Sequence, residues 1–388
     1  MLERNSIALA IISIALWMFL IEVTPVKAAE TEPFAGDALC LPAVYSQSPS
    51  SCLPLGPSNF LTSMAVKGIP IPFKPLPAYS PDPNLVYSNL SYIKVGDNAF
   101  PLYASLDAAI ARNPASMMEA GMKYLTKFDR EDTDNGIYYQ LANGYWIEAG
   151  EANTECCITS GRFQGLYFYQ NPSNSFGWII DEATVQAAPG YSSPLTGKKL
   201  HRENLVQIYD TAEANGTTWY MIGWDQWVER RKIRQFTVNL TPPDGVDNGR
   251  WIELNLYDQT LGIYENGRLV FATLMASGLD PFFTQPGLFQ IYEKLDKTDM
   301  SGSFEADRSD YYYLQDVPWT LYYDEARAIH GAYWRTLFGY PQSHGCVNLS
   351  IGDAKVVYDW ANVGDWVYVW DPSGETPTDP KFYGPGGF

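Results

Sequence analysis

One cysteine and two histidines near the carboxyl-terminal end have the side-chain types that acyl-transfer chemistry uses. His330-Gly331 is followed, 14 positions after the histidine, by the histidine of the run Ser343-His344-Gly345-Cys346. A thiol attacks acyl groups well only as a thiolate, and free cysteine is mostly protonated at neutral pH. A neighbouring imidazole can take that proton. The pattern therefore predicts Cys346 as a nucleophile served by a histidine base.

The predicted elements around these residues would position them. The stretch Ala328 to His330 predicts a strand that ends at the histidine. Ser350, with Asp353 three residues on, has the spacing of a capping box that begins a helix. We therefore expect Cys346 just before a helix N-terminus, where the dipole favours a thiolate. We also expect N–H groups near Gly345 and Cys346 to face a developing oxyanion.

Each of these residues also has a less specific interpretation. A lone cysteine is usually a small buried apolar residue, and a lone histidine usually has a structural partner. A metal site made of His330, His344 and Cys346 lacks an obvious fourth ligand, so we expect no metal and no cofactor. The remaining histidine, His201, lies in a polar stretch and is predicted to be at the surface. The spacing of the group as a whole favours catalysis.

That spacing resembles the signature of the YkuD-type L,D-transpeptidases, an upstream His-Gly and a downstream [Ser/Thr]-His-Gly-Cys-x-Asn/Arg. The resemblance covers roughly residues 235–370. It implies Cys346 as nucleophile, His330 as general base and then acid, and His344 lining the site. It implies a lid over Asp296 to Asp310. The residues expected to contact substrate or fix the loop are Ser343, Gly345, Asn348, Gly331, Trp334 and Tyr322.

The resemblance also implies a reaction and its partners. Cys346 would attack the third residue of a tetrapeptide stem, release D-Ala and form a thioester, which the amine of a second stem then attacks to give a 3→3 crosslink. Donor and acceptor are thus peptidoglycan stem peptides, and a carbapenem is an expected covalent inhibitor. Alternatives are an L,D-carboxypeptidase, a thiol peptidase and a non-catalytic wall-binding protein. Arg335 stands where some relatives carry a histidine, which bears on the acceptor side.

Composition narrows the class of protein. The 388 residues include 44 acids against 26 bases, a formal charge of -18 that disfavours nucleic acid as a partner. Hydrophobic residues make up 46%, enough to bury a core and to exclude a disordered chain. The many aromatic residues favour short β-strands over a sugar-binding stripe.

The carboxyl-terminal third predicts a mostly β domain with one helix, over 235–371. Alternation from Ile252 to Tyr257 predicts a strand, and Asn266-Gly267 predicts a tight hairpin turn. Further strands are expected over 268–277, 287–293, 319–323, 328–330 and 366–370. The helix begins at Ser350 with an apolar face formed by Val356, Val357 and Trp360. A polar loop without periodicity is expected from Asp296 to Asp310.

An internal repeat precedes that domain. Tyr138 to Glu148 aligns with Trp219 to Glu229, each copy being a strand, a tight turn and a strand. The pattern loosely resembles bacterial SH3-like domains, which implies wall-binding modules or structural spacers at 91–160 and 161–234. The predicted fold class is therefore two small SH3-like β-barrels followed by a YkuD-like β-rich domain with one main helix.

The amino-terminal segment predicts export. Residues 7–21 are apolar throughout, too short for a bilayer span of about 20 residues, and Val26-Lys27-Ala28 offers a cleavage site. We predict a signal peptide over 1–28, with an uncleaved anchor as the alternative, and a location in the periplasm or cell wall. A proline-rich spacer follows over 29–90, and the tail 372–388 is expected to be flexible. Export permits disulfides, but the sequence does not choose among pairings of Cys40, Cys52, Cys156 and Cys157.

Overall fold

The computed structural model describes residues 90–156, 162–303 and 307–383, together with 76–82, 84 and short pieces at 39–40, 53–54, 62 and 64–66. These residues belong to one compact unit. The predicted signal peptide, most of the predicted spacer and the last five residues lie outside the described part. So do the side chains of all four amino-terminal cysteines, whose pairing stays a prediction.

Strands dominate the described chain, and the predicted mostly β class is confirmed. One large sheet has nine strands: Ser91–Val95, Met122–Thr133, Gly136–Leu141, Trp146–Glu148, Glu155–Cys156, Glu293–Gly302, Tyr312–Asp324, Arg327–Gly331 and Val347–Leu349. The other has seven: Ala78–Tyr79, Leu166–Phe168, Arg250–Asn255, Thr260–Glu265, Arg268–Leu274, Gly287–Gln290 and Trp366–Trp370.

Smaller sheets and short helices complete the architecture of the described residues. The five-stranded sheet comprises Ala183–Gln186, Leu195–Leu200, Asp210–Ala214, Thr217–Gly223 and Gln226–Glu229. The three-stranded sheet comprises Ser175–Ile179, Leu205–Ile208 and Ile233–Phe236. Two-stranded pairs are Leu39–Cys40 with Leu53–Pro54 and Phe100–Leu102 with Ser116–Met118. The helices are Leu106–Ile110 and Ile351–Trp360, with short 3₁₀ turns at Arg230–Lys232 and Pro380–Phe382.

The main core lies between the two large sheets and the longer helix. Ile252 and Leu254 of the seven-stranded sheet share an apolar cluster with Ile329 and Val347 of the nine-stranded sheet. The helix adds Val357 to that cluster. Each such side chain contributes about 1.5–3 kcal/mol when it leaves water, so the strands that hold the candidate site are firmly anchored.

Most of the elements expected in the carboxyl-terminal third are confirmed. Asn266 and Gly267 have φ values of 52° and 74°, as a type I′ hairpin turn requires. Ser350 caps the helix by accepting a hydrogen bond from the Asp353 N–H at 3.2 Å. The expected polar loop from Asp296 to Asp310 was wrong for its first seven residues. Residues 296–302 belong to the strand Glu293–Gly302, which pairs with Tyr312–Asp324 in a long hairpin, here called the lid hairpin.

The two repeated segments form the expected strand-turn-strand units. Gly136–Leu141 pairs with Trp146–Glu148, and Thr217–Gly223 pairs with Gln226–Glu229. The sheets that contain them stay open, so the SH3-like barrels are not confirmed. The first segment instead shares the nine-stranded sheet with the lid hairpin, because Met122–Thr133 pairs in parallel with Tyr312–Asp324.

Among the described residues, every helix is too short or too polar to span a bilayer.

Candidate active site

His330 and Cys346 come from neighbouring strands. The strand Arg327–Gly331 pairs in parallel with Val347–Leu349, which sets His330 opposite Asn348. Cys346 directly precedes the second strand. Ile329 and Val347 pack in the main core. Because side chains alternate across a sheet, His330, Asn348 and Cys346 are directed to the opposite face. The register therefore brings the predicted base and nucleophile to one side of the sheet.

The Cys346 thiol is half-buried and forms no disulfide. It donates weakly to the carbonyl oxygen of Ala326, with sulfur and oxygen 3.8 Å apart. Burial raises the pKa of this thiol, although the Ala328 backbone and the Arg327 guanidinium oppose the rise. The thiol is therefore protonated at neutral pH.

The His330 imidazole is almost completely buried. Its Nδ1 lies 3.3 Å from the carbonyl oxygen of Gly331 and donates to it, which leaves the lone pair on Nε2. Burial, assisted by the charge of Arg335, lowers the pKa of His330 to about 4. The imidazole is thus neutral at pH 7 and able to accept a proton. In the described residues no hydrogen bond joins it to the thiol.

Ser343 fixes the loop that carries the cysteine. Its hydroxyl donates to the Cys346 carbonyl and accepts from the Gly345 N–H at 3.1 Å. Gly345 has a φ of 119°, which a residue with a Cβ rarely adopts. The expectation that the Gly345 N–H faces an oxyanion was wrong, because that group is already bonded to Ser343. The Cys346 N–H has no acceptor within the described residues.

Asn348 and Arg335 form a buried polar connection beside the histidine. Arg335 Nε donates to Asn348 Oδ1 at 2.7 Å, and its Nη1 donates to Gln342 Oε1 at 3.0 Å. Its Nη2 also donates to the Gln342 carbonyl. The guanidinium therefore connects the strand Val347–Leu349 to the loop that precedes it. Burial lowers the pKa of Arg335 to about 10, so the group is still charged at neutral pH.

Aromatic rings surround the remaining predicted site residues. His344 is exposed, and its ring stacks on Tyr312 of the lid hairpin with centroids 6.0 Å apart and planes at 8°. Partial desolvation of its ring and the charge of Arg335 lower the pKa of His344. Trp334 lies 5.7 Å from the His330 ring, and Tyr322 stacks on Tyr292.

Gly331 and His201 complete the set of predicted positions. A Cβ at Gly331 would lie 3.1 Å from Pro318 Cγ and 3.4 Å from Ala354 Cβ, so the glycine permits close packing of the strand. His201 is exposed and pairs with Glu182 at 2.9 Å, which confirms its predicted surface location.

Comparison with known protein families assigns this part of the chain. Residues 249–369 match the family model of the YkuD L,D-transpeptidase catalytic domain. This stretch is a YkuD catalytic domain. The comparison with curated proteins found no match.

Solved structures similar to the chain include three L,D-transpeptidase structures. The Stackebrandtia nassauensis protein is 24% identical, with 34% of this chain and 60% of that chain covered at a TM-score of 0.26. The Enterococcus faecium C442S mutant is 22% identical, with 35% and 55% covered at 0.30. The E. faecium catalytic domain acylated by ertapenem is 24% identical, with 32% and 100% covered at 0.29. The chain thus spans about 60% or less of the length of the first two.

Arg327 is a charged residue at the site of the YkuD domain that was not among the predicted positions. Its guanidinium pairs with Asp324 at 2.8 Å and lies under the Tyr383 ring, 5.4 Å from the centroid. A Cβ on Gly345 would lie 3.3 Å from its Nε. The clue in the sequence was a lone arginine three positions before His330 on a strand that is otherwise apolar.

The position of the cysteine relative to the helix was also misjudged. We expected Cys346 immediately before a helix N-terminus. The strand Val347–Leu349 intervenes, and the helix of the YkuD domain begins only at Ile351. Because a helix dipole acts mainly within its first turn, this helix gives the thiol little assistance in losing its proton.

Proposed function

We propose that the protein is an exported L,D-transpeptidase that forms 3→3 crosslinks between peptidoglycan stem peptides. The observation that carries the proposal is the common direction of His330 and Cys346 from paired strands of the YkuD domain. The neutral imidazole supports it, because only the neutral form can accept the proton of the thiol.

In the first step the Cys346 sulfur attacks the carbonyl carbon of the third stem residue. The thiol proton passes to Nε2 of His330 as the C–S bond forms. The imidazolium then returns that proton to the amine of the leaving D-Ala as the C–N bond breaks, which leaves a thioester. The Cys346 N–H is available to stabilise the transient oxyanion.

In the second step the side-chain amine of another stem attacks the thioester. Such an amine has a pKa of ~10.4 and is mostly an unreactive ammonium, so the species that attacks is the neutral amine, which has already lost one proton to solvent. His330 takes a second proton from its nitrogen as the new amide bond forms. The sulfur leaves and regains a proton from the imidazolium. Water in place of the amine gives L,D-carboxypeptidase activity, which is the second candidate function.

Export belongs to this proposal, because peptidoglycan lies outside the cytoplasmic membrane. It rests on the apolar segment 7–21 and the small residues before position 29. The YkuD domain contains a single cysteine, Cys346, and is therefore compatible with an oxidising compartment.

The deciding experiment incubates the purified protein with tetrapeptide-bearing muropeptides and identifies the products by mass spectrometry. Crosslinked dimers with loss of D-Ala support the proposal. Tripeptides alone indicate the carboxypeptidase, and cleavage at other stem bonds indicates a thiol peptidase. No turnover by a folded protein would favour a non-catalytic wall-binding role.

Covalent labelling by a carbapenem tests the nucleophile separately. The E. faecium domain has been solved in a form acylated by ertapenem. We expect the wild type to gain the mass of one carbapenem and Cys346→Ala to gain none. His330→Ala should label at least about a hundredfold more slowly, as the loss of a general base typically produces. Equal labelling of wild type and Cys346→Ala would remove Cys346 from the nucleophile role.

A further inference from the structure

The five-stranded sheet contains a cavity of about 310 Å³ that has no assigned role. Residues of four of its strands line the cavity, with the loop at Tyr191 forming part of the rim. None of the predicted catalytic residues contributes to the lining. The cavity is therefore a separate feature of the segment 161–234.

One buried polar atom in the cavity lacks a partner. Gln186 lines the cavity and is only 7% exposed, and its Oε1 has no hydrogen-bond partner within the described residues. A buried amide oxygen without a donor is unfavourable, and most such groups in proteins are paired. Because Gln186 lines the cavity, a ligand donor that reaches this oxygen would satisfy it.

The aromatic wall of the cavity favours a small apolar group over a sugar ring. Trp219 is 2% exposed, and its Nε1 donates to the Ala214 carbonyl. The Tyr191 ring meets it edge-on, with centroids 5.4 Å apart and planes at 71°. The indole thus offers no open face on which a sugar could stack, but its edge can contact a methyl group.

The charges at the rim favour an anionic ligand. Glu229 pairs with Arg231 and Lys232 with Asp181, and Glu182 pairs with His201 when that histidine is protonated. The fourth charged residue, Lys199, is exposed and forms no ion pair with another described residue. The remaining cation is thus positioned for a carboxylate.

We infer that this cavity binds the carboxyl-terminal end of a short peptide. The last peptide N–H donates to Gln186 Oε1, the terminal carboxylate pairs with Lys199, and a small side chain such as that of alanine contacts Trp219. The class of ligand follows from the cavity. That such peptides come from the cell wall, where they would hold the YkuD domain near its substrate, rests on the proposed function.

Binding of N-acetyl-D-Ala-D-Ala to the full chain, measured by isothermal titration calorimetry, tests this inference. The probe lacks the diamino acid on which the proposed reaction acts. We expect Gln186→Leu to weaken binding about tenfold, because one hydrogen bond to a buried amide is lost. We expect a similar loss for Lys199→Gln and for the peptide with a carboxamide in place of the carboxylate. Gln140→Leu, the same substitution at a half-buried position of the nine-stranded sheet that does not line the cavity, should bind as the wild type does.

Several outcomes would overturn the inference. These are equal binding by wild type and Gln186→Leu, no binding at millimolar peptide, or binding of a chitin oligosaccharide without binding of the peptide. The muropeptide assay separates this result from the proposed function. Crosslinking without Gln186-dependent binding rejects the cavity alone, whereas Gln186-dependent binding with an inert Cys346 rejects only the transpeptidase. Circular dichroism of Gln186→Leu, Lys199→Gln and Gln140→Leu controls for folding.

Discussion

The Cys346 thiol and the His330 imidazole are both uncharged at neutral pH. Burial raises the pKa of the thiol and lowers that of the imidazole to about 4. Both shifts disfavour a preformed thiolate–imidazolium pair. In the proposed reaction, proton transfer would therefore accompany the attack of sulfur on the acyl carbon.

The pH dependence of alkylation follows from this state. We expect iodoacetamide to modify Cys346 slowly at pH 7, with a rate that rises roughly tenfold per pH unit up to the raised pKa of the thiol. Peptide mass spectrometry of samples quenched between pH 5 and 10 measures the rate. A profile that is flat from pH 5 to 8 would show an ion pair and contradict the expectation.

Arg335 is the residue whose substitution should change that protonation state. Its charge lowers the pKa of both His330 and His344. Arg335→Gln should therefore move the acid limb of the carbapenem-acylation profile to higher pH. Arg335→Lys keeps the charge but loses the several hydrogen bonds of the guanidinium. The acid limb of its acylation profile should therefore not move, while its acylation rate falls about tenfold. Identical profiles for the two variants would mean that Arg335 acts only through packing.

At the scale of single elements, the long helix depends on a buried carboxyl group. Asp353 accepts from the Gly165 N–H at 2.9 Å and from the Thr273 hydroxyl. Burial raises its pKa from 3.8 to about 7. The unfolded chain loses this proton near pH 3.8, whereas the folded chain keeps it, so the contribution of Asp353 to stability falls as pH rises from 3.8 to about 7.

Asp353→Asn should remove that pH dependence. Relative to the variant, the wild type should lose up to about 4 kcal/mol of unfolding free energy between pH 4 and 7. Urea unfolding at three pH values measures the difference, and Asp359→Asn, at an exposed position of the same helix, serves as the control. A constant difference between wild type and Asp353→Asn would contradict the shifted pKa.

Local patterns in the sequence predicted some elements and not others. The Asn266-Gly267 turn and the Ser350 cap depend on neighbouring residues, so both could be predicted. The strand Glu293–Gly302 could not, because it is polar and half-exposed and owes its order to hydrogen bonds with Tyr312–Asp324. Similarly, an arginine is usually expected at the surface. Its partners Gln342 and Asn348, which leave no local signal in the sequence, make it possible for Arg335 to be partly buried.

At the scale of the whole molecule, the first repeated segment belongs to the same nine-stranded sheet as the lid hairpin. Met122–Thr133 pairs with Tyr312–Asp324, although about 190 residues separate them in sequence. Tyr92 stacks on Tyr333 with centroids 3.5 Å apart and donates to the Asp316 carbonyl. We call this contact region the seam. Contacts between such distant residues leave no local pattern, which is why the sequence indicated separate modules.

Tyr92→Ala should weaken the seam. Loss of a buried aromatic ring typically costs about 3–5 kcal/mol of unfolding free energy. Acylation by a carbapenem should also slow, because Tyr333 packs against Trp334 and Trp334 against His330. Chemical unfolding and intact-mass kinetics measure the two effects, with the exposed Tyr79→Ala as the control. Loss of stability with an unchanged acylation rate would show that the seam supports the fold without influencing the site.

The continuity of this sheet has a consequence for inhibitor discovery. A small molecule that wedges between Tyr92 and Tyr333 would displace the base of the hairpin without reacting with any sulfur. Such a compound would not need a β-lactam ring, so a β-lactamase could not inactivate it.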